Sequence, residues 1–389
     1  MSVTTPAGFV AAAGAVGIKA GGAADFAVVA TADGRPVSAA GVFTANLARA
    51  APVQVSQEHL QATGGRAAAV VVTSGNANAA TGSEGRAAAA GLCRAVAEGI
   101  GADSAAVLVC QTGLIGVPFP FDAVAGRIGA VVARRGADPQ DGAAAARAIL
   151  TTDTFPKEVV VEGPGFTIGA MAKGAAMLAP NLATMLAVLT TDAQVAPADL
   201  HRTLVQAVGP TFNALTVDGC TSTNDTVVML ASGLAGPADM GTFGRALEDA
   251  CGQLAYLMAS DAEGSTKVFR VRVTGAASDA DAHRAARQVA GSLLVKCSLN
   301  GADPYWGRVV SELGSAGVAF DLDRVAVSYG GVTVCSGGVG VAHDETAVRA
   351  HMAGQDVEIL CDLGLGPGVG AVLGTDLGHG YIDENRTTS

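Results

Sequence analysis

Charge and aromatic side chains are both scarce in this sequence. Of its 389 residues only 15% are charged and 4% aromatic, and there is a single tryptophan. The seven cysteines are odd in number, scattered, and never spaced as CxxC. That distribution argues against a disulfide framework or a zinc ribbon and predicts reduced, mostly buried thiols. The six histidines are isolated, with no HExxH pair, so the chemistry of a zinc hydrolase is not expected. A basic segment ahead of the first apolar residues is also missing, which removes a signal peptide and leaves the cytoplasm as the expected compartment. Positive charge is in deficit: the net charge of −11 disfavours nucleic acid and anionic membranes as partners. Finally, no apolar run reaches membrane length cleanly. The one long uncharged stretch, between Lys173 and Asp192, is interrupted by Pro180, Asn181 and threonines.

What the chain does have is small residues and a large potential core. Half of it is hydrophobic and it carries 52 glycines, so close packing and many turns are expected, in one large domain or two. Short β-rich runs alternate with alanine-rich helical ones. Strands are predicted at 68–73, 106–110, 158–162, 184–189, 226–231, 268–274, 325–329, 357–362 and 371–375. Helices are predicted at 85–98, 121–134, 141–150, 197–208, 241–258, 279–293 and 345–352. The class is α/β, with an α+β layered sandwich as the architecture. The pairs Gly330-Gly331 and Gly337-Gly338 read as hairpins and tight turns, since neither they nor Gly364–Gly368 complete a GxGxxG between strand and helix.

The stretch opened by Lys173 is the natural centre. Pro180-Asn181 signals a turn, followed by Ala183-Thr184 and the apolar run 185–189. A threonine at this place suits one special chemistry. If the Ala183–Thr184 bond breaks, Thr184 becomes a new N-terminus whose hydroxyl is a nucleophile and whose α-amino group is the adjacent base. A buried turn and strand without chemistry is the ordinary alternative.

Four polar clusters fall at the ends of predicted strands. Thr112-Gly113 follows one strand, where a hydroxyl and a backbone N–H together can form an oxyanion hole. The hydroxyl-rich turn Thr151-Thr152-Asp153-Thr154 could hold a substrate carboxylate or only satisfy its own backbone. The loop from Asp218 to Asp225 holds more hydrogen-bonding side chains than a turn needs. A carboxylate in the run Asp261-Ala-Glu263-Gly-Ser-Thr-Lys267 suits a substrate amine, whereas exposed loop acids are commonly just solvated. The run Asp303-Pro-Tyr-Trp306-Gly-Arg308 reads as a packing corner.

In this order, and with Thr73-Ser-Gly-Asn-Ala-Asn78, Ser222-Thr-Asn-Asp-Thr226 and the terminal stretch from Tyr381 to Asn385, these segments resemble the ornithine acetyltransferase family, also called the glutamate N-acetyltransferase family, along nearly the whole chain. The resemblance implies a fold shared with that family and with DmpA-like enzymes. It implies self-cleavage between Ala183 and Thr184, giving an α chain (1–183) and a β chain (184–389) that stay together, two of each forming an α2β2 heterotetramer. By the same resemblance Thr184 is the nucleophile and Thr112 with Gly113 forms the oxyanion hole. The implied substrate contacts are Thr152, Lys173, Thr184, Glu263, Asn385 and Ser389, with Thr388 as the alternative at the short C-terminus. The implied reaction moves acetyl from N²-acetylornithine to glutamate through an acetyl-Thr184 ester. It uses no resident cofactor or metal, and acetyl-CoA is a second donor in bifunctional members. An N-terminal-threonine aminopeptidase or amidohydrolase, and an uncleaved amino-acid-binding protein, are the alternative readings.

Overall fold

A computed structural model of the chain describes residues 2–178 and 185–386. Two sheets lie face to face in its N-terminal part. One has four strands, in the order Phe9–Gly14, Phe26–Thr31, Ala69–Asn76, Val107–Leu114. The other has six: Arg66–Ala67, Val37–Phe43, Thr226–Pro237, Leu186–Gln194, Phe166–Lys173, Lys157–Gly163.

The side-chain alternation of a strand explains the layering. Along Ala69-Val70-Val71-Val72, Val70 and Val72 join Leu108, Met171, Val188 and Val228 between the two sheets. Ala69 and Val71 point the other way, onto Leu92 and Val96 of the helix Gly82–Ile100 and Ile128 of the helix Phe121–Val132. The six-stranded sheet behaves likewise. Its outer face, with Ile168, Leu189 and Met229, packs on Leu200 and Leu204 of the helix Pro197–Val208 and on Phe243 and Leu247 of the helix Met240–Ser260. The result is helices, sheet, sheet, helices. Because both faces of each sheet are covered, the central strands read as continuous apolar runs rather than as alternating ones.

A third, seven-stranded sheet forms a second core, built from Leu215–Thr216, Gly368–Thr375, Val268–Ala276, Asp356–Asp362, Ala326–Tyr329, Val332–Ser336 and Val339–Gly340. The helices Asp279–Gly291, Leu293–Asn300 and Trp306–Ser315 supply its apolar partners. Gly330-Gly331 and Gly337-Gly338 make the turns between its last strands with positive φ, as their spacing predicts. Trp306 packs against this core from the first position of its helix, so the Pro-Tyr-Trp-Gly run is a packing corner.

The α/β expectation therefore holds, and the layered sandwich describes the N-terminal part. Among the described residues, no helix is long and apolar enough to cross a membrane. Cys93, Cys110, Cys251, Cys335 and Cys361 are buried and unpaired, while Cys220 and Cys297 are exposed. The segment after Lys173 does not separate two domains. The six-stranded sheet interleaves the halves, with strands 226–237 and 186–194 flanked on both sides by strands from residues before 174. The glycine- and proline-bearing stretches 136–139 and 233–241 are likewise not linkers. Gly136 pairs with Ala11, and 233–241 runs from the end of one strand into the helix Met240–Ser260.

Candidate active site

The ends of five strands meet at one end of the sandwich. Strands 166–173 and 186–194 run antiparallel, so Lys173 lies in register opposite Leu186. Strand 226–237 is parallel to 186–194, which sets Thr226 beside Leu186 and Asp225 beside Met185. From the other sheet, strands 69–76 and 107–114 are parallel and deliver Gly75 and Gly113 side by side.

The Gly75–Gly113 approach explains the Thr112-Gly113 motif. Gly113 has φ +130° and Gly75 φ +105°, and the strand register slips here. A Cβ on Gly113 would lie 2.3 Å from the Gly75 carbonyl carbon and 2.5 Å from the Asn76 nitrogen. No side chain fits, and the backbone bulges as a result. Thr112, buried, sits on this bulge. Asparagines hold the surrounding loop in place. Asn78 donates to Gln111 Oε1 at 2.8 Å and to the Gly85 carbonyl at 2.8 Å. Asn224 donates to the carbonyls of Ala77 at 2.6 Å and Gln111 at 2.9 Å, which ties the 218–225 loop to the residue before Thr112.

Asp225, next to Asn224, accepts the Met185 N–H at 2.9 Å. It is fully buried, and its Oδ2 has no hydrogen-bond partner among the described residues. Burial pushes its carboxyl well above the usual carboxylate range, against the N–H bond from Met185 and the hydrogen bonds from Ser222. Most of the 218–225 loop thus serves structure. Thr44 and Asn46 bind its carbonyls, at Ser222 and Thr221.

Lys173 is almost completely buried, and its ammonium donates to Thr151 Oγ1 at 2.7 Å, with Asp153 3.6 Å away. Asp153 is shared. Lys157 reaches it at 2.7 Å and the Gly174 N–H at 2.7 Å, while Lys157 also pairs with Asp261 at 2.6 Å. Burial alone would raise the Asp153 carboxyl, but Lys173, Lys157 and the Gly174 N–H outweigh it and hold it well below the usual range. Asp261 also accepts from the N–H of Thr154 at 2.9 Å and from its hydroxyl. Asp261 is therefore neither a solvated loop acid nor a free amine acceptor; it is the buried anchor of the 151–157 turn. Thr152 lies half-buried in that turn, between the two residues that touch Lys173.

Glu263 and Asn385 are brought together. Asn385, just past the helix His379–Glu384, donates to Glu263 Oε2 at 2.8 Å. The Glu263 N–H binds the Ala175 carbonyl at 3.0 Å, two residues beyond Lys173. Gly264, with φ +63°, lets this loop close on the Gly380–Tyr381 backbone, where a Cβ would come within 2.0 Å of the Tyr381 nitrogen. Asp376 fixes the loop from below, accepting from Ser265 Oγ, Thr266 Oγ1 and the N–H groups of Thr266 and Lys267. Asp218 holds the Met177 N–H at 2.6 Å and receives the Tyr381 hydroxyl at 3.4 Å. Burial, then the Asp218 charge, pushes the Tyr381 hydroxyl up to about 12.

Ala183, Thr184, Thr388 and Ser389 lie outside the described residues. The remaining candidates, Thr112, Gly113, Thr152, Lys173, Glu263 and Asn385, belong to segments tied to residues 173–177 and, through Asn224 and Asp225, to Met185. Sequence reasoning missed the supporting acids Asp153 and Asp376. Asp153 stood in a motif read for its hydroxyls, and nothing in sequence says that it shares Lys157 with Asp261.

The chain matches the profile of the ArgJ family over residues 10–387. A protein named arginine biosynthesis bifunctional protein ArgJ from Mycolicibacterium paratuberculosis is 47% identical over 399 aligned residues, covering 100% of this chain and 96% of the relative. The protein of the same name from Thermobifida fusca is 45% identical over 390 residues, covering 100% of both. Among solved structures, ornithine acetyltransferase from Mycobacterium tuberculosis, complexed with ornithine, is 41% identical to it, covering 46% of this chain and 94% of that one, with a TM-score of 0.42.

Proposed function

Since the chain belongs to the ArgJ family, we propose that it is an acetyltransferase of arginine biosynthesis, moving acetyl from N²-acetylornithine to glutamate. The Ala183–Thr184 bond breaks first, and the freed Thr184 hydroxyl, with its own α-amino group as base, attacks the acetyl carbonyl. Thr112 and Gly113 stabilise the oxyanion from the bulge beside Gly75. Ornithine leaves, the acetyl group rests on Thr184 as an ester, and the glutamate amine then takes it. Lys173 and the Thr152 turn hold the substrate carboxylate, and Glu263 with Asn385 holds the side-chain ammonium. Ser389 or Thr388 completes the contacts. The exchange is two acyl transfers on one hydroxyl and calls for no resident metal or cofactor; acetyl-CoA serves as a second donor. We place the enzyme in the cytoplasm, with two α–β pairs forming an α2β2 unit.

One observation carries the reading. The backbone on either side of the cleavage segment is held among the candidate groups, with Lys173 opposite Leu186 and the Met185 N–H on Asp225, beside the Asn224 that grips Gln111.

Intact mass and N-terminal sequencing under denaturing conditions test it. The wild type is expected to give two fragments, one beginning Thr184-Met-Leu-Ala. Thr184→Ala is expected to give one uncleaved chain without transferase activity, and normal cleavage in that variant would defeat the assignment.

A further inference from the structure

Lys19 belongs to none of the sequence motifs, yet the fold carries it into this site. The buried Asp25 carboxylate accepts four successive N–H groups, from Val16 at 2.7 Å, Gly17 at 3.0 Å, Ile18 at 2.5 Å and Lys19 at 2.9 Å. That collar fixes the backbone of Lys19. Its side chain then runs along Gly75, where a Cβ would sit 3.0 Å from Lys19 Cγ, so it passes directly beside the Gly75–Gly113 bulge. At its end the ammonium donates to the Leu150 carbonyl at 2.6 Å. Leu150 adjoins Thr151, which takes the Lys173 ammonium at 2.7 Å. Lys19 thus spans the gap between the oxyanion bulge and the turn that holds Lys173.

Lys19 makes only carbonyl contacts, to Leu150 and, at 3.4 Å, to Ala24, and no carboxylate lies within salt-bridge distance among the described residues. The Asp25 carboxylate is turned to its four N–H donors, keeps its charge, and acts on the Lys19 ammonium only from a distance. Asp153 is divided among Lys157, Lys173 and the Gly174 N–H, and Asp261 is taken by Lys157 and Thr154. Lys19, Lys157 and Lys173 thus face Asp25, Asp153 and Asp261 in equal number, yet none of these three carboxylates reaches the Lys19 ammonium. Desolvation and repulsion from Lys173 both disfavour the Lys19 ammonium, against the pull of Asp25 and Asp153. An incoming anion relieves that cost.

We propose that Lys19 is a substrate-binding residue that, together with Lys173, holds the carboxylate of the amino-acid substrate. This inference rests on the acetyl-transfer reading above. The planar carboxylate offers one oxygen to each ammonium, which fixes the acyl group beside the Thr112-Gly113 bulge. It also gives the site its preference for a free acid over an amide or ester.

The test compares wild type with Lys19→Met, using N²-acetylornithine and its carboxamide as substrates. Cleavage at Thr184 is expected to persist in the variant, since it involves no carboxylate substrate. KM for the acid is expected to rise about 10- to 100-fold, the loss of one charged hydrogen bond. The preference for acid over amide should shrink by the same factor, and Lys19→Arg should restore part of it. A KM that stays put, or an equal loss for acid and amide, overturns the proposal. If Lys19→Met does not fold, Lys19→Gln, which keeps a donor toward Leu150, gives the same reading. A wild type that neither cleaves nor transfers would instead strike the acetyl-transfer reading, so the two failures are distinct.

Discussion

Asp153 shows how much one buried carboxylate can set. Its side chain is fully buried, and two lysines and the Gly174 N–H depend on it. Replacing it with Asn keeps the shape but removes the charge, leaving Lys157 with Asp261 alone and Lys173 with no carboxylate in salt-bridge distance among the described residues. Breaking a buried pair in this way is expected to cost about 3–5 kcal/mol of stability. The pH dependence follows from the sign of the shift. A carboxyl held below its ordinary range stabilises the fold fully at pH above the unfolded value, about 4, and loses that contribution as pH falls through the folded value. Melting temperatures of wild type and Asp153→Asn measured from pH 7 downward should therefore differ most near neutrality and converge below about pH 4. A gap that stays constant across that range would show that Asp153 acts by shape rather than by charge.

At the scale of elements, the two facing strand ends at Gly75 and Gly113 are a joint that no side chain can enter. Gly113→Ala combines a positive φ with a Cβ placed against the Gly75–Asn76 backbone. The pair must separate, which moves Thr112 away from the 222–225 loop. The expected outcome is a folded but uncleaved chain, read by denaturing gel, with transfer lost by at least 100-fold, as when an oxyanion-hole donor is removed. Full cleavage in Gly113→Ala would mean that the bulge is only a packing feature. This joint also marks what a sequence can and cannot tell. The strand 69–76 and the helix Pro197–Val208 are legible because β-branched runs and a proline at the helix start state them locally. The strands Phe9–Gly14 and Val37–Phe43 are rich in alanine and glycine and owe their form to neighbours, so they are silent in sequence. The helix predicted over 279–293 ends at Gly291, because Ser292 caps a new helix, its hydroxyl accepting the Val295 N–H. The motifs name Lys173, Glu263 and Thr112 readily. The Lys157–Asp261 and Lys19–Leu150 contacts join residues 104 and 131 positions apart, and only the fold makes them visible.

For the molecule as a whole, strand order decides what cleavage can do. In the six-stranded sheet, strands 226–237 and 186–194 of the proposed β chain lie between 37–43 on one side and 166–173 on the other, both from the proposed α chain. The registers Lys173↔Leu186 through Ile168↔Thr191 on one side and Thr226↔Phe43 through Ala231↔Ser38 on the other close both edges of the β-chain pair with α-chain strands. Between the sheets, Val70, Val72 and Leu108 from one chain meet Val188, Val228 and Leu230 from the other in a single core. Breaking the bond before Thr184 leaves all of these contacts in place, and separating the chains would expose the faces and edges of both sheets to water. The cleaved protein is therefore expected to behave as one unit. On a sizing column in native buffer the two fragments should co-elute, and in urea they should part only at the concentration where circular dichroism shows the fold to melt. Residues 1–183 expressed alone should remain unfolded or aggregate, since their six-stranded sheet would lack its two middle strands. Dissociation of the fragments well before unfolding, or a folded 1–183 fragment, would contradict the interleaved sheet.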